Sequence, residues 1–134
     1  MNKKQFLESL DKVYVRLGKG KHGVGVIAIR DIPKGIDPFY DDTTAKYLSI
    51  TPEEIKCQPS EIKKLIKDFC PLQDGKYYVP YHGMNSISVA YYLNHSKKFN
   101  MVAVDMADSF ETSRDIKKGE ELTVDYETYD DIGL

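Results

Sequence analysis

Asn94-His95-Ser96 and, behind it, Gly119-Glu120-Glu121-Leu122-Thr123-Val124-Asp125-Tyr126 decide how the rest of this chain is read. In both stretches polar residues that form regular structure poorly stand against apolar segments, and a tyrosine closes the second. Asn-His-Ser alone is an ordinary polar loop, and a single histidine is more often hydrogen-bonded structure than a reactive group. Company changes that weighting. Asn100 follows four residues after Ser96, and Asp125-Tyr126 follows a strand-like run. Upstream, Gly18-Lys19-Gly20-Lys21-His22-Gly23 fits the Gly-x-Gly-x-x-Gly pattern of dinucleotide sites. That pattern needs a helix to open directly behind it, whereas Val24, Val26, Ile27 and Ile29 favour a strand. Two readings remain: a hairpin turn, or a glycine turn whose backbone groups approach a ligand closely because no Cβ intervenes.

Around these motifs the chain reads as short strands with a helical middle. Asn2 to Leu10 has Phe6, Leu7 and Leu10 on one side of a short helix. Val13–Leu17 and Val24–Ile29 are β-branched runs. Thr51-Pro52-Glu53-Glu54 carries an N-cap, a proline at the first helical position and acids in the first turn. Ser60 to Phe69 sets Ile62, Leu65, Ile66 and Phe69 at helical spacing, with lysines on the other face, and Pro71 ends it. Residues 51–70 are therefore expected to form a helical insert between strands. Tyr77-Tyr78-Val79, Met101–Val104, Ser109–Ser113 and Leu122–Val124 read as strands, and Ser86 to Leu93 as a short helix. Arg30-Asp31-Ile32-Pro33-Lys34-Gly35 recurs as Arg114-Asp115-Ile116-Lys117-Lys118-Gly119. The copies are too far apart for a solenoid and are taken as two similarly built turns between strands.

With 134 residues, the chain predicts one domain spanning 1–134. Its net charge of −2 and 30% charged residues describe an ordinary polar surface without the basic excess of a nucleic-acid binder. Cys57 and Cys70 lack Cys-x-x-Cys spacing, so no metal site is expected. No apolar run reaches the length of a membrane span, and Met1-Asn2-Lys3-Lys4-Gln5 lacks a signal peptide's apolar core. The expectation is an intracellular protein, cytoplasmic, or nuclear in a eukaryotic host, with no membrane contact. The acidic stretch Asp125 to Asp131 is a solvated terminus by default, with a rim for a basic peptide as the alternative.

The three motifs, in this order, resemble the signature of SET-domain protein-lysine methyltransferases, in the minimal form of viral and bacterial members. The resemblance runs from about Tyr14 to Tyr129, with boundaries good to a few residues. It implies a β-rich α+β domain, the SET fold or β-clip: short antiparallel strands, a small helical insert and a C-terminal pseudoknot, itself an exception to unthreaded chains. In the family, the Gly-x-Gly turn binds S-adenosylmethionine through its backbone. Gly23-Val24-Gly25 matches it, with His22 before and Val26 after. Asn94 and His95 match cofactor contacts in a segment threaded by the C-terminal strand, and Asn100 matches an asparagine that holds the knot. Glu121 to Tyr126 matches Glu-Leu-Thr-x-Asp-Tyr in full, and its Tyr126 takes the catalytic place, also touching the cofactor and the substrate channel. The family's Arg-Phe before the motif is replaced by Tyr91-Tyr92, its Cys after Ser by Lys97 and its Pro by Phe99. Zinc-binding cysteine flanks are absent.

The implied activity is S-adenosylmethionine-dependent methyl transfer to a lysine amine of a protein, a histone or another. That amine, of pKa ~10.4 in water, must lose its proton first. Burial in an apolar, aromatic channel favours the neutral form. Tyr126, a neutral phenol, is suited to positioning more than to proton abstraction. The ten tyrosines permit an aromatic channel able to hold cations, and Tyr78 is the expected second channel residue ahead of Tyr77. A dimer that completes the substrate groove is compatible with a chain lacking flanking domains. The alternatives are a SET-like module that binds peptide or cofactor without catalysis, and a dinucleotide enzyme using the glycine match.

Overall fold

The computed structural model describes residues 2–39, 47–107 and 109–130. In chain order its elements are α1 (Lys3–Ser9), β1 (Val15–Gly20), β2 (Gly23–Ala28), β3 (Tyr47–Ile50), α2 (Ser60–Phe69), β4 (Leu72–Gln73), β5 (Lys76–Pro80), β6 (Asn94–His95), β7 (Met101–Val104), β8 (Ser109–Thr112) and β9 (Glu121–Val124). The larger sheet runs β1-β2-β9-β7-β8, with β6 also paired to β9; the smaller runs β3-β5-β4. Most pairings are antiparallel, as the sequence suggests. The two exceptions, β6 and β7 on β9, are parallel. Parallel pairing needs a crossover, and here the chain between β7 and β9 supplies it through β8.

The last strand is also the central one. Leu122 and Val124 have no exposed surface, while Glu121 and Thr123 between them are half-buried, the period-2 alternation of a strand with one face on a core. Val26, Met101, Ile32 and Ile116 complete the same core. A second, smaller core forms where α2 lies on the three-stranded sheet: Ile66 and Cys70 pack on Val79, with Tyr77 and Tyr91 at the edge. Ile62 stays exposed, so the apolar stripe of α2 is buried only toward its C-terminal end.

The helical insert forms within 51–70 as expected. Thr51 and Glu54 make a reciprocal capping box over a 3₁₀ turn at Pro52–Ile55. Ser86 to Leu93 differs from the expected helix: it contains the end of one 3₁₀ turn, Met84–Ser86, and a second at Val89–Tyr92. Ile87, Val89, Tyr91 and Tyr92 are β-branched or aromatic and lose rotamer freedom in a continuous helix. Strand β3 carries no alternation strong enough to announce it. Cys70 is buried and Cys57 exposed; both are free thiols. Among the described residues no helix is long and apolar enough to cross a membrane.

The repeated hexapeptides do more than turn the chain. They face each other. Ile32 and Ile116 form an antiparallel bridge, each N–H donating to the other's carbonyl at 2.7 and 2.8 Å. Asp31 Oδ1 accepts from Lys118 N at 2.8 Å, and Asp115 Oδ1 accepts from Lys34 N at 2.9 Å. Gly35 N donates to Thr112 O and Gly119 N to Ala28 O, so each copy is held by the residue four before the other's isoleucine or its equivalent. The result is a pseudo-twofold clasp joining the segment after β2 to the segment after β8.

Ile116→Ala is expected to lower unfolding free energy by about 2–5 kcal/mol, because the side chain is fully buried in the clasp. Asp115→Ala should lower it by only ~1 kcal/mol, since one exposed hydrogen bond is lost. Urea denaturation of the two variants beside the parent checks the order.

Candidate active site

Strand β9 is bracketed by the segment from Asn94 to Met101. Asn94 and His95 pair with Thr123 and Val124, Ser96 N donates to Val124 O at 3.1 Å, and Asn100 N donates to Thr123 O at 3.2 Å. The Asn100 side chain, 3% exposed, closes the bracket from both of its ends. Its Nδ2 donates to Glu121 O at 2.9 Å, and its Oδ1 accepts from Thr123 N at 2.9 Å. An amide suits this place because it offers one donor and one acceptor to a strand backbone.

The other edge of β9 meets the glycine hairpin β1–β2. Here the glycines divide their work. Gly23 has φ of +109° and open space where a Cβ would project, so the turn leaves its outer face uncovered. Gly25 is closed in: a Cβ there would stand 2.2 Å from Glu121 Oε2 and 3.0 Å from Asn94 Nδ2. Gly20 is crowded by the same carboxylate. Glu121 Oε1 accepts from Lys21 N at 2.9 Å and Oε2 from Asn94 Nδ2 at 2.8 Å; Asn94 Nδ2 also reaches Val24 O at 3.1 Å. The glycine pattern therefore serves a half-buried carboxylate that locks hairpin, β6 and β9 together. Sequence reading assigned Glu121 no such part; its place two residues before Thr123 on β9, opposite Ile27, is what turns it toward the hairpin.

Past β9 the chain turns at Asp125, whose Oδ1 caps a short 3₁₀ turn by accepting from Glu127 N. The turn carries Tyr126 back over β6. Tyr126 N donates to His95 Nδ1 at 3.1 Å, and its ring lies 5.3 Å from the His95 ring. An accepting Nδ1 means that the neutral imidazole carries its proton on Nε2. The Tyr126 hydroxyl donates to Leu93 O. Burial, with Asp130 and Glu121 nearby, pushes its pKa up to about 12. It is a neutral phenol at pH 7, with its oxygen lone pairs left to accept. Lys97 bridges Asp125, at 3.2 Å, and Glu127, which raise the lysine's pKa, the Glu127 bond foremost. Burial opposes ionisation of Asp125, yet the Glu127 N–H and Lys97 together hold its carboxyl below the ordinary value.

A pocket of about 60 Å³ opens beside Tyr126 and Leu93, walled by Tyr47, Phe69, Tyr91 and Tyr129. That volume holds a few water-sized groups, which suits a slim chain rather than a fused ring. Asp68 and Asp130 also line it. Tyr91 Oη is buried without a hydrogen-bond partner among the described residues, and burial beside Tyr47 and Cys70 raises its pKa steeply. A buried hydroxyl of this kind needs a polar partner, and a water is the ordinary one. Gln73, 8% exposed, supports one wall: its Nε2 donates to Tyr129 O at 2.8 Å and to Met106 O at 2.6 Å. Met106 sits in a turn where Asp105, Met106 and Ala107 all have positive φ, a strained run that this buried amide helps hold.

The expected site residues thus fall into three groups. Asn94, His95 and Tyr126 come together at β9. His22, Gly23 and Val24 form the exposed turn on its far side, with Val24 57% exposed, while Val26 is a core residue paired with Leu17 and Leu122. Tyr78 is not brought to the pocket: it stands opposite Ser49 on β5, on the face away from Tyr77 and Val79, and Tyr47, Tyr91 and Tyr129 line the pocket instead. Tyrosine density hinted at such walls, but which tyrosines form them depends on the packing of two sheets. Asp131 lies outside the described residues.

The SET domain family model matches residues 23–127, the span from the glycine turn to the residue after Tyr126. The chain belongs to the SET-domain family. Among solved structures, a candidate histone methyltransferase of Plasmodium falciparum has the same SET fold, with a TM-score of 0.55 and 19% identity over 84% of this chain and 92% of that one. No curated protein sequence matches significantly. SET-domain proteins are a methyltransferase family, and β2, Glu121, β6 and Tyr126 all lie inside the matched span.

Gly25→Ala is expected to destabilise the fold by about 1–3 kcal/mol through overpacking on the Glu121 carboxylate. Adding Glu121→Ala should recover part of that loss, a coupling that a double-mutant cycle in urea reads directly. Because burial raises the Tyr126 pKa, and that of Tyr129 further, the unfolded chain ionises first in alkali. Stability is complete below pH ~10 and falls as pH rises from there through the folded value. Unfolding midpoints across this window, with Tyr129→Phe flattening the fall, test the assignment.

Proposed function

We propose that this SET-domain protein is an S-adenosylmethionine-dependent protein-lysine N-methyltransferase. The observation that carries the reading is the neutral, half-buried Tyr126 phenol, standing between a narrow aromatic pocket on one side and His95 of β6 on the other. The uncovered outer face of the Gly23 turn, with Asn94 tied to Val24 O and His95 beside Tyr126, fits a flat polar cofactor. His22, Gly23, Val24 and Gly25 would offer backbone groups to it, and Asn94 and His95 side chains its other edge. When bound, S-adenosylmethionine supplies a methyl group made electrophilic by a positively charged sulfur.

The chain's own residues account for the rest. The aromatic walls exclude water and hold a lysine side chain by its aliphatic stem and its cation. Their low polarity shifts the lysine amine toward its neutral, nucleophilic form. Asp68 and Asp130 attract the cation toward the pocket before it is desolvated. Tyr126 Oη, already donating to Leu93 O, accepts from the amine and so fixes the direction of its lone pair. Orientation of this kind contributes a large share of the rate in an in-line transfer. A phenol of pKa about 12 is too weak a base to take the lysine proton at neutral pH, so that proton leaves to solvent. We read the bracket around β9 as the threaded knot of the family, and the substrate as a protein, histone or other, met inside the cell.

The test is transfer of an isotopically labelled methyl group from S-adenosylmethionine into proteins of a mixed lysate and into basic peptides. Label should appear on lysine and fall by roughly 10²-fold or more in Tyr126→Phe, the scale of a lost orienting contact. Cofactor binding by calorimetry without transfer would instead support a binding module, the reading that Tyr91 in place of the family's arginine leaves available.

A further inference from the structure

Helix α2 lines two pockets. One is the aromatic pocket beside Tyr126, reached by the helix's last residues; the other, lined by the turns before them together with Ile55 and Tyr77, has a volume of about 420 Å³. Asp68 lines both, so the two open on either side of one residue. The second is basic. Lys63, Lys64 and Lys67 all line it, against the single carboxylate of Asp68. That carboxylate is engaged by Lys64 Nζ at 2.7 Å. Lys63 Nζ donates to Lys56 O at 3.2 Å, which leaves its charge uncompensated, and Lys67 makes no ion pair among the described residues. The nearest acids on the preceding turn are spoken for: Glu53 pairs with Lys56, and Glu54 caps Thr51. A chain of net charge −2 thus concentrates cations at one concave place beside its candidate site.

We propose that this basic pocket binds an acidic side chain of the protein substrate, a carboxylate or a phosphate, lying two or three residues from the target lysine. The proposal rests on the methyltransferase reading for the lysine and extends it to its neighbour. Lys64 and Lys63 lie four and five positions before Asp68 on α2, roughly 6–8 Å along the axis at ~1.5 Å per residue. An extended peptide covers that distance in about two or three residues at ~3.3 Å each. The two pockets therefore differ in character, one aromatic for the lysine and one basic for its neighbour, and select a peptide that carries both.

Short synthetic peptides with one central lysine test this. They carry Glu, phosphoserine or Gln at two or three residues on either side. Binding is followed by fluorescence anisotropy at low and high salt, with the parent protein and with the Lys63→Gln/Lys67→Gln variant, whose substitutions are exposed and spare the Lys64–Asp68 pair. Expected is about tenfold tighter binding of Glu or phosphoserine peptides than of Gln peptides, as one charge-assisted contact provides, with the advantage lost in the variant and reduced by salt. The Glu and phosphoserine arms distinguish a carboxylate from a phosphate. Equal binding of all peptides, an equal loss for every peptide in the variant, or displacement of the peptides by a single-stranded RNA oligonucleotide would overturn it. Acid-dependent binding without methyl transfer would uphold the pocket and sink the enzymatic reading; methyl transfer indifferent to the acidic neighbour would do the reverse.

Discussion

The arrangement depends on β9 having neighbours on both edges and a bracket over its end. A strand in the middle of a sheet must satisfy its backbone on either side, and here one side is the N-terminal hairpin while the other is the Asn94–Met101 segment. Asn100 makes this possible by giving its amide to backbone groups that no strand reaches. From that constraint the site follows. Tyr126 stands where it does because β9 ends against β6, and its N–H finds His95 because the turn at Asp125 begins one residue after the last pair.

Electrostatics then tune what geometry places. Glu121 ties three segments from inside the glycine hairpin, and Lys97 ties the Asn-His-Ser loop to the Asp125 turn from outside. Lys97 directly follows the Asn-His-Ser motif, and its ion pairs with Asp125 and Glu127 hold a junction between β6 and the Tyr126 turn. The aromatic pocket is kept by Gln73, whose amide links the smaller sheet to the carbonyl of Tyr129. Site and scaffold therefore share their polar bonds.

Much of this was legible in residue order. The strands at 24–29, 101–104 and 122–124, the helix at 60–69 and the meeting of Asn94, His95 and Tyr126 follow from alternation, helical spacing and motif. Three features did not. Strand β3 is too short and too irregular to announce itself. Val26 belongs to a motif by sequence but to the core by burial, since alternation along β2 turns its side chain inward. Tyr78 and its neighbours differ by a single register step: pairing with Ser49 puts Tyr78 on one face and Tyr77 on the other, and no local pattern says which sheet face meets α2. The hexapeptide echo was visible as repetition, but only the fold reveals that the copies bind each other, because contact between distant segments leaves no local signature.

The position of β9 has a consequence for how the protein comes into being. Strand β2 is made early and waits, with one edge unpaired, for a partner encoded almost a hundred residues downstream. Through most of synthesis the nascent chain holds an open hairpin edge and an unfilled core, the condition in which chaperones are recruited and strands pair wrongly. Contacts of such long separation also slow folding. The tyrosine at the heart of the site arrives with the same strand that completes the sheet. Sheet completion and the placing of Tyr126 beside His95 are therefore one event, the docking of the last strand between its neighbours.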